Sequence, residues 1–276
     1  MARTSFRASE SSLVARLRRL RSASGREEAG ACYVEGIGPL VQAWRAGAAI
    51  ELCVVATALL AAPAGRSLVD SLRTAGVPVV ELSSSAFARI SFRDHSPGLG
   101  AVVRPRLVRL ERLDPARAPY WLALAGVGNP GNLGAMLRTC DAVGCGGVLL
   151  LGSAVDPFHP VAVRASRGTV FALPIARASG PAFAAWTRAH RCTVVGTSPS
   201  GEHEYRSVRY AEPLVLLMGG ERRGLPDELA AACDLLVRVP MIGRADSLNL
   251  AVAASVVLYE LFAQLGARPS SAPEAT

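Results

Sequence analysis

The stretch RVPMIGRADSLNLAVAASVVLYEL, Arg238–Leu261, places polar residues at a helix entrance in a pattern that suits ligand binding. A short apolar strand over Leu235–Val239 leads into a loop holding Pro240, Gly243, Arg244 and Asp246, and a long apolar helix follows from about Ser247. Ser247 can cap that helix, because a hydroxyl there accepts a bond from one of the first helical N–H groups, which lack intrahelical partners. Asn249 falls in the first turn, where an amide competes for backbone bonds and suits an apolar helix poorly. It is either a solvated side chain or part of a ligand site at the helix mouth. A second loop, LLMGGERRGLPDEL (216–229), sets Glu221 in a tight turn of glycines with Pro226 at a helix start. Its plain reading is a solvated turn. A third, GVGNPGNLGAMLRTCDAVG (126–144), has Gly126, Gly128 and Gly131 in the G-x-G-x-x-G spacing that lets a pyrophosphate approach the backbone. A dinucleotide site also wants an acid about 20 residues on, and the position holds Ser153 instead. The dinucleotide reading also leaves Asn132 and Arg138 unexplained, six residues apart and on roughly opposite sides of an ideal helix.

These loops need strands to hold them. Residues 120–261 read as a run of strands and helices: strands at Tyr120–Ala125, Gly147–Leu151, Val170–Pro174, Cys192–Thr197, Leu214–Met218 and Leu235–Val239, with helices at Leu133–Val143, near Pro160–Ala165, at Pro181–His190, at Pro226–Ala232 and at the end. This order predicts a mostly parallel sheet, in which ligands gather beyond the carboxyl ends of the strands. Upstream, strands at 32–35, Glu51–Ala56, Val77–Leu82 and Leu99–Arg104 alternate with helices at Pro39–Ala46, Arg66–Ala75 and Ser84–Ile90. That is a smaller α/β sandwich of about one hundred residues. It offers no nucleophile, paired carboxylates or phosphate loop, so a binding role suits it better than catalysis. Between the two, PRLVRLERLDPARAP (105–119) breaks the periodicity with three prolines and a charge run. The expected organisation is an arm at 1–28, a binding domain at 29–106, a linker at 107–118, a main domain at 119–266 and a disordered tail at 267–276.

All thirty basic residues of the 276-residue chain are arginine, which reflects coding bias as much as phosphate recognition. Their distribution says more. Residues 1–116 carry 16 Arg against 10 acids, a surplus of six, whereas 117–276 carry 14 against 12, a surplus of two. The excess in the first half suits a polyanion such as RNA. Residues 1–28 are rich in Arg and Ser, with Leu13, Leu17 and Leu20 spaced for an amphipathic helix at about Ser9–Arg21. A basic RNA-touching arm fits them better than a transit peptide, which is poor in acids, because Glu10, Glu27 and Glu28 are present. A merely solvated helix is the plain alternative. The six cysteines have no paired C-x-x-C spacing and no nearby His in a ligand pattern, so they read as reduced thiols in a reducing, cytoplasmic compartment, with no metal site. The best membrane candidate, Ala48–Ala62, carries Glu51 and is shorter than the roughly 20 apolar residues a span needs.

Taken together, NPGNLGAMLRT, LMGGERRGL and VPMIGRADSLNLAVAASVVLYEL resemble, in order and spacing, the three signature motifs of the SpoU or TrmH family of RNA ribose methyltransferases, in the SPOUT class. RASRGTVFALPI (164–175) is similar to the family's stretch between the first two motifs, and REEAGACYVEG (26–36) through GLGAVVR (98–104) resembles its L30e-like accessory domain. The resemblance implies a SPOUT domain with a deep trefoil knot, a homodimer, and S-adenosylmethionine held bent in the knot. Knots are so rare that periodicity alone would not suggest one. By matching positions, Gly219, Val239 and Leu248 would contact the cofactor, with Thr197, Leu217, Met241 and Ile242 nearby. Asn132, Arg138, Glu221, Ser247 and Asn249 fall on the family's functional polar positions, and Asn129 is a second-rank candidate.

The implied reaction is attack by a ribose 2′-hydroxyl on the sulfonium methyl, in ribosomal RNA in preference to transfer RNA by analogy with relatives that have such an accessory domain. A guanidinium does not give up its proton in a protein. Arg138 is therefore expected to clamp the phosphate beside the target and stabilise the forming alkoxide, with water or a phosphate oxygen taking the proton. Glu221 would orient Arg138 or Asn132, and Ser247 with Asn249 would shape the cofactor end. An RNA-binding or assembly factor with an idle pocket is the alternative from another class. A conventional open-sheet methyltransferase is a third reading, against which the late position of the Gly-Glu and Ser-x-Asn motifs counts.

Overall fold

The computed structural model describes residues 9–266. By its contacts the chain forms two compact units, one made of residues up to 105 together with 158–171, the other of 106–157 and 172 onward. Residues 1–8 and the expected tail at 267–276 lie outside the described residues.

The first unit begins with helices α1 (Glu10–Arg19) and α2 (Ala23–Ala29), each capped by a serine hydroxyl: Ser9 accepts from the Ser12 N–H and Ser22 from that of Gly25. Leu13, Val14, Leu17 and Leu20 are buried in this unit's core, so the segment expected as an arm is, from Glu10 on, packed structure. Exposing that apolar stripe would forfeit roughly 1.5–3 kcal/mol for each large side chain. There follow β1 (Cys32–Glu35), α3 (Ile37–Arg45), β2 (Ala49–Val55), α4 (Pro63–Thr74), β3 (Val79–Glu81), α5 (Ser84–Ile90) and β4 (Leu99–Arg104). The sheet order is β1-β4-β2-β3, antiparallel except for the β2–β3 pair.

The second unit is built on seven parallel strands. In chain order its elements are β5 (Tyr120–Ala125), α6 (Pro130–Ala142), β6 (Val148–Leu151), then α7 (Pro160–Ala165) of the first unit, β7 (Ile175–Ala178), α8 (Gly180–Ala189), β8 (Thr193–Thr197), β9 (His203–Glu204), β10 (Leu214–Met218), α9 (Asp227–Ala230), β11 (Leu235–Arg238) and α10 (Leu250–Leu265). The sheet order is β7-β6-β5-β10-β8-β11-β9. β5 and β10 are buried along their whole length, which is why they read as continuous apolar runs without alternation. On one face Trp121, Ala123, Leu149, Val215 and Leu217 meet Phe183 and Trp186 of α8. α10 packs on β10 and on α6.

Several expected ends shift by up to three residues, the short β9 was not expected, and two expectations change in kind. The apolar run expected as a strand at Val170–Pro174 is a 3-10 turn at Thr169–Phe171, and pairing starts only at Ile175. Pro174 has no N–H for the ladder, and Gly168, at φ +94° with the Pro39 backbone where a side chain would go, turns the chain before it. The last helix starts at Leu250 with Asn249 as its cap, so Ser247 does not cap it.

Candidate active site

Strands β5, β10, β8 and β11 are consecutive neighbours and parallel, so their carboxyl ends share one edge of the sheet. The chain runs outward from β5 through β6 to β7, then fills the other side. The switch point therefore lies between β5 and β10, the place where such sheets leave a crevice. The loops that follow these two strands are joined there. The Glu221 carboxylate, after β10, accepts bonds from the backbone N–H groups of Gly128 (3.2 Å) and Asn129 (3.3 Å) and from Nδ2 of Asn132 (3.0 Å), after β5. Oδ1 of Asn132 in turn accepts from Nδ2 of Asn249 (3.0 Å), at the head of α10. Asn132 thus spans all three loops, one end on Glu221 and the other on Asn249.

Each member is fixed locally. Asn129 caps α6, its Oδ1 accepting from the N–H groups of Gly131 and Asn132, with Pro130 in the first turn. Asn249 caps α10, its Oδ1 accepting from Ala251 (2.9 Å) and leaving its amide nitrogen for Asn132. The Gly219–Gly224 turn is closed by reciprocal N–H to carbonyl bonds between Gly220 and Gly224. A side chain at Gly219 would overlap the Gly224 and Leu225 backbone at about 2.0 Å, and one at Gly220 would meet the Gly126 carbonyl at 2.7 Å. Burial pushes the Glu221 pKa up, but bonds from its own N–H, Asn132, Gly128 and Asn129 outweigh that and hold it below the usual 4.5. Glu221 is an ionised acceptor that organises backbone, and no cation pairs with it among the described residues.

Beside this polar junction lies an apolar margin. Met241, Ile242 and Leu248 are exposed on the loop after β11, and Val239 is half-buried at its start. Thr197, at the end of β8, donates its hydroxyl to the Met218 sulfur at 3.1 Å. Arg238 bonds the carbonyls of Gly201 and Glu202, both at 2.7 Å, and ties the exit of β11 to the loop after β8. Glycines and exposed apolar side chains at adjacent strand ends suit a flat, partly apolar ligand.

Comparison with known proteins shows the family. A profile of the SpoU rRNA methylase family matches residues 119–259, and one of an MRM3-like substrate-binding domain matches residues 12–101. The chain belongs to the SpoU rRNA methylase family. It is 36% identical over 152 residues to a 23S rRNA (uridine(2479)-2′-O)-methyltransferase of Streptomyces viridochromogenes, a stretch that spans 52% of this chain and only 53% of that enzyme. It is 32% identical over 186 residues to a 23S rRNA (guanosine(2553)-2′-O)-methyltransferase of Bacillus subtilis, across 67% of this chain and 73% of the relative. The fold is similar to the crystal structure of an AdoMet-bound rRNA methyltransferase from Sinorhizobium meliloti, with a TM-score of 0.84, 36% identity and coverage of 92% of this chain and 95% of that one.

Of the polar residues matched to SpoU motifs, Asn132, Glu221 and Asn249 come together with Asn129, while Arg138 and Ser247 stand apart. Arg138 is exposed on α6 and its side chain makes no hydrogen bond or ion pair among the described residues, and Ser247 is exposed in the loop before α10. Glu221 therefore orients Asn132 and not Arg138. The Leu217 side chain is fully buried in the core, so it can offer a ligand backbone atoms alone. Asn129 caps a helix that starts three residues before the expected Leu133, and the Asn-Pro pair is the signal that could have placed that start. The use of the Gly128 and Asn129 N–H groups was not legible, because backbone donors leave no mark on residue type. Among the described residues, no group of three or more His, Cys, Asp or Glu gathers as a metal site, and no helix is long and apolar enough to cross a membrane. No disulfide joins the cysteines, and burial raises the thiol pKa of Cys53 to about 12 and of Cys192 and Cys233 to about 11.

Proposed function

We propose that the protein methylates a ribose 2′-hydroxyl of ribosomal RNA with S-adenosylmethionine, and that the SPOUT knot, the domain division at 29–106 and 119–266 and a cytoplasmic location belong to the same reading. The observation that carries it is the Glu221–Asn132–Asn249 junction, which binds the three SpoU motif loops into one crevice beside an apolar margin. The 2′-O specificity of the ribosomal RNA relatives supports the reaction and the RNA class. S-adenosylmethionine fits the residues present: Met241, Ile242 and Leu248 would cover the adenine, and the Gly219 turn and Val239 would present backbone to its polar groups. When bound it supplies an electrophilic methyl on a sulfonium.

The protein's task is then mainly alignment, which can lower a barrier by several kcal/mol. Arg138 would hold the phosphate next to the target and face the oxygen as it gains charge. The 2′ proton leaves to water or to a phosphate oxygen, since neither a guanidinium nor the low-pKa Glu221 serves as base near neutral pH. Methyl transfer from labelled S-adenosylmethionine to unmodified ribosomal and transfer RNAs, followed by alkaline hydrolysis, tests this. Label is expected in alkali-resistant dinucleotides from ribosomal RNA. Label from transfer RNA would change the substrate, label in mononucleotides would mean base methylation, and cofactor binding without transfer to any RNA or ribosomal particle would favour the idle pocket.

A homodimer is part of the proposal. α10 is apolar over most of its surface, and exposed apolar helix faces are normally covered. One side buries Ala254, Val257, Leu258 and Leu261, while Val252, Tyr259 and Phe262 form an exposed stripe, 40–54% accessible. The Tyr259→Glu, Phe262→Glu variant is expected to sediment as a monomer where the wild type sediments as a dimer. A wild type that is monomeric at micromolar concentration would sink the dimer.

A further inference from the structure

A second site stands in the first unit, built from none of the motif loops. A cavity of about 320 Å³ is bounded by Tyr33 and Glu35 of β1, Phe92 and Arg93 after α5, Arg21 after α1, and α7 with its Arg164. That is within the size range of small-ligand pockets. An adjoining cavity of about 400 Å³ shares Phe92, Arg93 and Arg164 and leads outward past Asp94 and His95.

Three observations say what could bind. First, Arg93 and Arg164 are exposed and make no side-chain hydrogen bond or ion pair among the described residues, although both border both cavities. Two free guanidinium forks at one place suit a phosphate. Second, Arg21 lies over the Phe92 ring at 5.1 Å, and an arginine plane on an aromatic is a surface on which unpaired bases stack. Third, the floor holds polar groups with capacity to spare. Glu35 is 7% exposed and accepts from the Ser91 hydroxyl (2.5 Å) and the Phe92 N–H (2.6 Å), with no salt bridge among the described residues. A carboxylate has about four acceptor positions, so about two are left over. Tyr33 also lines the cavity, and its buried hydroxyl makes no hydrogen bond among the described residues. Buried polar groups are ordinarily satisfied, and such exceptions ask for an explanation. A role for Glu35 confined to pinning Phe92 would explain neither Tyr33 nor the two unpaired arginines.

We infer that this cavity takes one extruded nucleotide of single-stranded RNA, its phosphate between Arg93 and Arg164, its base against Arg21 and Phe92, and a base N–H edge on Glu35. The inference rests on the proposed RNA substrate and adds to it a place, built from none of the motif loops, where a base is selected. Guanine, with adjacent ring N–H and amino donors, matches the carboxylate best, and uracil matches it least.

The test uses the full chain and two fluorescein-labelled probes, a uridine 12-mer and the same 12-mer with one central guanosine. Wild type is expected to prefer the guanosine probe. The Arg93→Ala, Arg164→Ala variant is expected to bind about tenfold more weakly and to show a shallower salt dependence, by about 0.7 in slope for each phosphate it no longer neutralises. Its melting temperature and its calorimetric affinity for S-adenosylmethionine should be those of the wild type. Glu35→Gln is expected to erase the preference between probes. Equal binding of both probes by wild type would remove the Glu35 interaction. A double variant that binds RNA and methylates it with unchanged KM would overturn the inference and leave the methyltransferase reading intact. A wild type that neither binds nor methylates RNA would overturn both.

Discussion

Arg138→Ala is expected to lower kcat about 100- to 1000-fold, the range seen when a single preorganised donor at developing negative charge is removed, and to leave S-adenosylmethionine affinity unchanged. The two effects separate because the Arg138 side chain makes no bond, among the described residues, to the loops that would hold the cofactor. It lies on the exposed side of α6, six residues beyond Asn132, while the loops are joined by Asn132, Glu221 and Asn249. Stability should hardly move either, since the guanidinium bonds to no other side chain or backbone group among the described residues. Arg138→Lys should recover only part of the rate, because an ammonium keeps the charge but not the planar fork that meets two phosphate oxygens. Single-turnover kinetics with calorimetry on the same preparations would show this split. Wild-type turnover in Arg138→Ala would remove the residue from the mechanism, and a parallel loss of cofactor affinity would mean that it builds the pocket.

Glu221→Ala is the second large effect, and its signature is the opposite. One carboxylate accepts from two backbone N–H groups and one amide of the neighbouring loop. Its removal should loosen both loops, weaken cofactor binding and lower kcat/KM by about 100-fold, the penalty for misplacing reacting groups by about 1 Å. Glu221→Gln should fall between, since a carboxamide has one acceptor oxygen where the carboxylate uses two, and its NH2 would face an N–H donor. The pH dependence follows from the lowered pKa. A group whose folded pKa is depressed contributes fully at and above its ordinary value and fails only as pH falls through the folded one. The junction should therefore survive down to about pH 4.5 and fail below it. Melting curves from pH 3 to 7 would show the wild type and Glu221→Ala converging only at the acid end. Wild-type cofactor affinity in Glu221→Ala, or convergence already at pH 6, would refute the role given to Glu221.

Much of this architecture is written locally. The runs YWLALA and LVLLM declare strands buried on both faces, because composition acts over a few residues. The errors arise where distant contacts overrule that local chemistry. Ser247 is as good a cap by type as Asn249, yet the helix begins later. Asn249 can cap with Oδ1 and still reach Asn132 with Nδ2, whereas a serine hydroxyl at 247 has no such second bond in the structure. The leucines at 13, 17 and 20 signalled an amphipathic helix, but only the fold supplied the core that receives it. Likewise Val170 has a strand former's side chain and lies in a turn, because Gly168 packs on Pro39, more than a hundred residues away in the chain.

The residues able to bind a phosphate, organise a loop or line an apolar margin are therefore fixed by sequence, since residue type and spacing are properties of the chain itself. Which of them meet is not. Asn132 and Glu221 lie 89 positions apart, and Asn132 and Asn249 117 apart. They are joined because β5, β10 and β11 end on the same edge of one parallel sheet, an order that pattern alone does not determine. The same holds for the cavity at Arg93 and Arg164, whose walls come from two separate stretches of chain. Hydrogen bonds reach about 3 Å, and only tertiary packing brings groups so far apart in sequence within that distance.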